Sequence, residues 1–514
     1  MNRYRQKGMI TIFLSLTGAI LLSLLCTMIE SARMQGCRAK AAAALDMGMF
    51  SVMGQFEREL LERYDVFFLD GASGGGSYSK EQMNQELADF MKYNVYPNTG
   101  RLFKGFDPFS LQMNGTEVNG VCLATDENGE AFYQQAVGFV RENLPTEVLS
   151  TLFERMEDGK RLEEAAELYK KRGEQIEKEL KGLEEQKKEM EKQQELEKQQ
   201  AQAEGQEIVE PETEEKPSIP AARNPLLVIA KIKRKGLMKL VLGDQAVSEK
   251  KLSADSPSKR RRNQGNLPVE KKYGGFMSDL IFQQYLFERF SMFTDEKREG
   301  ALDYELEYIL CGKGSDKQNL KSVITRLMLL REGANFLYLA SDAASMEAAR
   351  ALAAVLVGVI PIPRLVTVTA YALLLVWAYG ESLLDLRELF AGGKVPVLKS
   401  RESWRLDLMS IPDLMQLLEG TNGSSENGIS YAGYLQILYM LGSRGKYPMR
   451  ALDMVEGYMR GRAPTVNFRA DYAVCKIKAS ADYRIPSLFL RVPAAFLKTG
   501  LITQEYHVQG SFAY

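Results

Sequence analysis

Gly71-Ala72-Ser73-Gly74-Gly75 has the G-x-S-x-G form in which a serine could serve as an acyl-transfer nucleophile. Such a serine needs a strand before it, a helix after it and a base to take its proton. Here Gly76 and Ser77 prolong a glycine-rich run, and the lone histidine, His507, falls in the final strand-like segment, so the run reads as a linker. A single histidine also excludes two-histidine metal motifs and histidine relays. Five cysteines, Cys26, Cys37, Cys122, Cys311 and Cys475, are scattered without a C-x-x-C, which argues against a disulfide framework and a cysteine zinc site. Acidic pairs such as Glu163-Glu164 and Glu184-Glu185 lie in a charged helical stretch, where no desolvated cleft separates their pKa values for acid–base work. No phosphate-binding G-x-x-x-x-G-K-[ST] loop occurs. Lys271-Lys272-Tyr273-Gly274-Gly275-Phe276-Met277 contains an opioid pentapeptide after a dibasic pair, but no second pair follows, and a Gly-Gly turn between helices accounts for it. No catalytic, cofactor-binding or metal-ligating residue is assigned.

The elements that would position any site begin with a membrane anchor. From Met9 to Ile29 the chain runs 21 positions without a charge. As a helix this run is roughly 31 Å long, enough to cross a hydrocarbon core. It exceeds the ~7–15 apolar residues of a cleaved signal, so a retained anchor is expected. Arg3, Arg5 and Lys7 precede it, which places the N-terminus in the cytoplasm and sends the rest of the chain outward. Ala41, Leu45, Met49, Val52, Phe56 and Leu60 continue at helical spacing, which predicts one helix from Met9 to Tyr64. Val66 to Leu69 then reads as a short strand.

With 45% hydrophobic and 26% charged residues, the 514-residue chain has room for two or three domains after the anchor. Sixty-six basic residues against 67 acidic ones leave no net field that would favour nucleic acid. The expected organisation is a basic flank at 1–8, a transmembrane helix at 9–29, a helix extension and strand at 30–70, a linker at 71–77 and a small α+β region at 78–150. A charged arm at 151–190 follows, with Leu162, Ala166, Tyr169, Ile176, Leu180, Leu183 and Met190 near heptad positions. It reads either as an oligomerising coiled coil or as a helical arm within one chain. Residues 191–224, rich in Gln, Glu and Pro, read as a disordered linker.

Residues 225–277 turn basic, with Lys231, Lys233, Arg234, Lys235 and Lys259-Arg260-Arg261-Arg262 around a short amphipathic helix from Leu226 to Leu242. They could dock on anionic lipid or a wall polymer, or form a solvated loop. Residues 278–465 form a helical domain. Within it Ala351 to Gly380 carries only one charge, Arg364. Pro361 and Pro363 break that stretch, and the piece from Leu365 to Gly380 has 16 residues, short of a span, so a buried core helix is expected. Residues 466–514 close the chain as an antiparallel strand pair, Tyr472 to Ile485 and Ile502 to Tyr514. The fold class is α+β.

Gly8-Met9-Ile10-Thr11-Ile12-Phe13-Leu14, the apolar run and Glu30-Ser31-Ala32-Arg33 resemble the TadE/TadG-like minor pseudopilins of tight-adherence (Flp-type) pilus systems. Lys476-Ile477-Lys478-Ala479-Ser480-Ala481-Asp482-Tyr483-Arg484-Ile485-Pro486 is similar to the end of those proteins. The likeness covers about a fifth of the chain. Over most of its length the chain is also similar to an uncharacterised family of Gram-positive bacteria, through Arg331 to Tyr338, Trp377 to Ser382 and Gly392 to Pro396. In pilins cut by prepilin peptidase a Gly precedes the cut and a Glu stands five residues beyond it. Gly8 and Met9 match the cut, but Phe13 occupies the Glu position. TadG-like members often lack that Glu too. The resemblance then implies a membrane-held assembly or accessory subunit rather than a filament subunit drawn in by charge pairing.

The expected function is a single-pass, outward-facing structural protein of a pilus or secretion assembly, without catalysis, cofactor or metal. Its expected partners are the lipid bilayer and other assembly subunits or a second copy, with no nucleic acid and no small-molecule ligand. Alternatives are a membrane-tethered enzyme acting on wall or surface polymers and a two-span scaffold.

Overall fold

The first helix, α1 (Asn2–Met53), has two environments along one axis. Its 52 residues extend roughly 78 Å at the standard rise. Through the apolar run the side chains are bare, with Met9 70%, Phe13 67% and Leu21 65% exposed. Burial begins at Cys26, near the end of that run, and continues through Glu30, Arg33, Cys37, Ala41, Ala44, Leu45, Met49 and Val52, a three-to-four spacing that gives α1 one packed face. The computed structural model describes residues 2–96, 107–203, 220–296, 299–358, 363–420, 428–491 and 503–514. They divide into two compact units.

The first unit comprises Met1–Phe139, Ser253–Gly275 and Ala451–Tyr514. Here α1 ends at Met53, not at Tyr64 as the periodicity predicts. Gly54, the poorest helix former short of proline, bends the chain, with its amide still bonded to Phe50 O at 2.8 Å. A separate α2 (Arg58–Tyr64) follows and is closed by Asp65 in the left-handed region at φ 51°. The turn brings β1 (Leu69–Asp70) to the sheet, so only two residues pair where four were expected. The glycine run at 71–77 is an ordered turn rather than a loose linker. The Asp70 carboxylate accepts the amides of Ala72 (3.0 Å) and Gly74 (2.8 Å), and Gly74 supplies the positive φ of 76° that the turn requires. Next come α3 (Lys80–Val95), capped by Ser79, then β2 (Gln112–Leu123) and α4 (Glu130–Asn143).

Two strands from the end of the chain complete an antiparallel sheet, β3 (Ala473–Pro486) and β4 (Thr503–Ala513). β3 is central. β2 lies along one side of it, and β1 and β4 follow one another along the other. The β3–β4 register is unbroken from Lys476↔Ala513 to Pro486↔Thr503, whereas β2 shifts register against β3 at three places. The alternation of buried Ile477, Ala479, Ala481, Tyr483 and Ile485 is that of a strand with one face in a core. That face meets Leu45 and Met49 of α1 and Leu87 and Met91 of α3.

The second unit comprises Val140–Leu252 and Phe276–Arg450, so the helical region expected at 278–465 stops earlier and takes in the charged arm. The arm is α5 (Thr146–Ala203), 58 residues long. Leu162, Ala165, Ala166, Ile176 and Leu183 are buried within the unit, so this seam is used inside one chain. Residues 191–203, expected to be disordered, continue the helix, as Gln, Glu and Lys allow. Residues 204–219 of that stretch lie outside the described residues. The expected Leu226 to Leu242 helix is two, α6 (Pro225–Lys233) and α7 (Leu237–Leu242), parted by Gly236 at φ 88°. Then follow α8 (Gly275–Arg289), α9 (Glu305–Cys311), α10 (Asp316–Ser341), α11 (Ala343–Val357) and α12 (Pro363–Phe390). Short α13 (Leu414–Glu419) and α14 (Tyr431–Leu441) complete the unit. Pro363 opens α12, the one position in a helix that tolerates its missing N–H, and Pro361 lies outside the described residues. α12 is long and apolar enough to cross a membrane, but its apolar face, including Leu365, Val368, Leu373, Leu374 and Trp377, is buried in the unit.

The fold is α+β, with the strands confined to the first unit among the described residues.

Candidate functional site

The residues singled out for chemistry are dispersed. Ser73 sits on the exposed turn after β1, and its Oγ donates to Glu86 Oε1 at 3.2 Å. His507 Nδ1 lies 2.8 Å from Asp482 Oδ1 across the β3–β4 ladder, both side chains being more than half exposed. Lys271 pairs with Glu127 at 2.6 Å, and the Gln134 carbonyl accepts the amides of Lys272 and Tyr273, which holds the pentapeptide segment in place. Among the described residues no cluster of three His, Cys, Asp or Glu side chains could hold a metal ion. Gly8 and Met9 are exposed within α1.

Two buried arrangements stand out instead. In the first unit the Glu30-Ser31-Ala32-Arg33 segment forms a clamp where α1 leaves its apolar run. Glu30 and Arg33 stand one helical turn apart, and Arg33 donates to Glu30 Oε1 through Nε (3.1 Å) and a terminal nitrogen (2.5 Å). Arg33 also donates to Phe109 O (2.7 Å), just before β2, and to Pro486 O (2.5 Å), the last residue of β3. The second Glu30 oxygen accepts the amides of Leu488 (3.1 Å) and Phe489 (2.7 Å) in the turn leaving β3. Burial alone would raise the Glu30 carboxyl. The hydrogen bond from Arg33 and the amides of Phe489 and Leu488 outweigh it and hold the group below its ordinary range. Both side chains are fully engaged, so the pair ties α1 to two strand ends rather than presenting a reactive group.

In the second unit, α10 and α12 carry charges on otherwise apolar faces. Arg331 and Asn335 are four residues apart on α10; Glu381, Ser382, Asp385 and Glu388 recur at helical spacing on α12, and all six are buried. Arg331 donates to Asp385 Oδ2 (2.8 Å), Asn335 Oδ1 (3.1 Å), Tyr434 Oη (2.8 Å) and the carbonyls of Pro396 (2.9 Å) and Val397 (2.8 Å). The Asn335 amide nitrogen donates to Ser382 Oγ at 2.9 Å. Lys399 bridges Glu381 (2.6 Å) and Asp385 (2.7 Å), and Arg405 reaches Asp385 Oδ1 at 3.0 Å. Burial would raise the Asp385 carboxyl; the charges of Arg331, Lys399 and Arg405 hold it well below the usual carboxylate range.

A cleft of about 740 Å³ opens beside this cluster, lined by Arg155, Asp158, Lys394, Lys399 and Arg405. The carboxylates of the cluster are already matched by cations. These pairings draw the 394–405 loop onto α10 and α12. The spacing of acids within apolar α12 was the signal available in sequence, since charges are rarely fully buried unless paired. Their partners come from 14 to 54 positions away for the Lys399–Asp385 and Arg331–Asp385 pairs and could not be read from spacing. Part of the basic segment is likewise turned inward. Arg260 is buried against Glu456 and Asp471, which removes it from any lipid-facing patch.

Comparison with known proteins adds one match. The family of unknown function DUF5702 matches residues 214–485, more than half of the 514-residue chain. No curated protein and no solved structure matches the chain.

Proposed function

We propose that this chain, which belongs to the DUF5702 family, is a single-pass, outward-facing structural or accessory subunit of a pilus- or secretion-type surface assembly. The observation that carries the reading is the division of α1. Its first half offers bare apolar side chains over a bilayer-spanning length, and its second half is built into the core of an antiparallel sheet. Arg3, Arg5 and Lys7 ahead of the apolar run favour a cytoplasmic N-terminus. Likeness of the N-terminal and β3 segments to TadE/TadG-like pseudopilins supplies the kind of assembly, and the buried clusters, with their charges paired internally, suit a scaffold. Its partners are then the bilayer and neighbouring assembly subunits.

Fractionation of cells expressing the full chain tests this. The protein should stay with membranes through alkaline carbonate extraction, and protease added to intact cells should digest both units. Leu21→Arg, at a cost of about 2.5–3.5 kcal/mol for insertion at mid-span, should release a share of the chain from membranes. Intact full-length chain recovered in the soluble fraction, or native material trimmed beyond Ile29, would overturn the reading. Mass spectrometry of the mature N-terminus reports whether the chain begins at Met9.

A further inference from the structure

Cys122 and Cys475 are 353 positions apart, and the fold sets them side by side on neighbouring strands. Along β2, Val121 and Leu123 belong to the core facing α1, so Cys122 points to the opposite face of the sheet. Along β3 the residues in that core are Val474 and Ile477, three apart instead of two. The pairing explains the offset. Cys122 is opposite Lys476 and Leu123 is opposite Val474, which leaves Cys475 as the extra residue of a β-bulge. Cys475 and Lys476 therefore both turn to the face that carries Cys122. The Cys475 thiol donates to Cys122 O at 3.3 Å, and the two residues are 8% and 1% exposed. Cys475 is the chain neighbour of the residue directly opposite Cys122, and its sulfur already lies against the Cys122 backbone, a placement that brings the two side chains within reach of a disulfide.

We propose that Cys122 and Cys475 form a structural disulfide in the mature, outward-facing protein. The placement on the oxidising side rests on the membrane orientation given above. The oxidant is the disulfide of an extracytoplasmic thiol–disulfide oxidoreductase. One cysteine thiolate attacks that disulfide and forms a mixed disulfide, and the second cysteine thiolate then displaces the enzyme sulfur. The chain gives up two protons and two electrons as its S–S bond forms, and the oxidoreductase leaves as a dithiol. In the closed sheet the Cys475 thiol is pushed well above its ordinary range by its hydrogen bond with Cys122 and by burial. Exchange therefore belongs to the folding chain, and the finished bond is shielded. All five cysteines carry free thiols in the structure, as their scattered spacing leads one to expect, and the proposal departs from that expectation for this pair alone.

The test uses full-length chain from native membranes, quenched in acid, alkylated with N-ethylmaleimide under denaturing conditions and digested without reductant. A peptide linking Cys122 to Cys475 should dominate, and reduction should convert it to two free-thiol peptides. On a non-reducing gel the native chain should run ahead of its reduced form, and C122S or C475S should each abolish that difference. Protease added to intact cells reports orientation separately. An outward-facing chain with both thiols alkylated overturns the disulfide alone. A cytoplasmic chain with both thiols alkylated overturns the disulfide and the orientation together.

Discussion

Glu30 and Arg33 hold the same helix to different parts of one sheet: Glu30 accepts the amides of Leu488 and Phe489, and Arg33 donates to the carbonyls of Phe109 and Pro486. Their mutual bond joins these ties into one buried unit immediately beyond the apolar run. In a membrane-held chain this fixes how far the sheet stands from the bilayer and which way it faces. A helix packed only by apolar contacts could slide or rotate about its axis, whereas these hydrogen bonds specify one register.

Arg33→Met should leave the Glu30 carboxylate buried beside two amides without its cation. Removing one partner of a buried pair costs about 3–5 kcal/mol. The first unit should melt correspondingly earlier and become sensitive to limited proteolysis around 487–491. Arg33→Met with unchanged melting would mean that the pair is not buried in solution.

Asp385→Asn removes the anion shared by Arg331, Lys399 and Arg405. A loss of about 3–5 kcal/mol is expected for breaking so buried a cluster, measured by chemical denaturation. The loop at 394–405 should gain hydrogen exchange ahead of the rest of the second unit, because its carbonyls at Pro396 and Val397 are held by Arg331.

Glu307 provides a pH dependence. Burial pushes its carboxyl up to about 7, against the opposing hydrogen bonds from the Tyr431 hydroxyl (2.6 Å) and the Phe293 amide (2.9 Å). The folded chain keeps a proton that the unfolded chain releases near pH 4.5. Its contribution is therefore fully present below pH 4.5 and is lost as the pH rises through about 7. The slope is on the order of 1 kcal/mol per pH unit. Glu307→Gln keeps an acceptor for Tyr431 and removes the titration, so the wild-type-minus-variant stability difference should fall across this window, leaving the variant the more stable at pH 8. Parallel denaturation curves for the two proteins from pH 4 to 8 would refute it.

Gly333→Ala should destabilise the second unit although alanine is the better helix former. The added Cβ would lie 2.6 Å from the carbonyl carbon of Ala165 and from Ala166 Cα, backbone atoms that cannot rotate aside. Overpacking costs about 1–3 kcal/mol and the propensity gain is at most about 1 kcal/mol, so the net change should be a lower melting temperature with α5 loosened from α10.

The strands β3 and β4 were legible because one face of each meets a core and the other meets solvent, which writes a period of two into the chain. β2 was not, since its register shifts break that period. The end of α1 was overrun because Phe56 and Leu60 keep the helical spacing after Gly54 has turned the chain. At 191–203, Gln, Glu and Lys suit a solvated helix as well as a disordered segment, and composition cannot separate the two. Glu30 and Arg33 of the clamp, and Arg331, Asn335, Glu381 and Ser382 of the charge cluster, fall within segments that bore a resemblance, whereas Asp385, Lys399 and Arg405 lie outside them. What those segments do there depends on hydrogen-bond partners far along the chain, which periodicity does not encode.

The central strand of the sheet is drawn from residues 473–486, so nothing upstream can complete that sheet during most of synthesis. At ~5–20 residues per second, roughly 20 to 90 seconds separate the emergence of the end of α1 from that of β3. Throughout that interval Leu45, Met49 and Val118 have no β3 to cover them. Loss of the last strands would leave that greasy seam bare and expose the N-terminal third to aggregation and quality-control proteolysis.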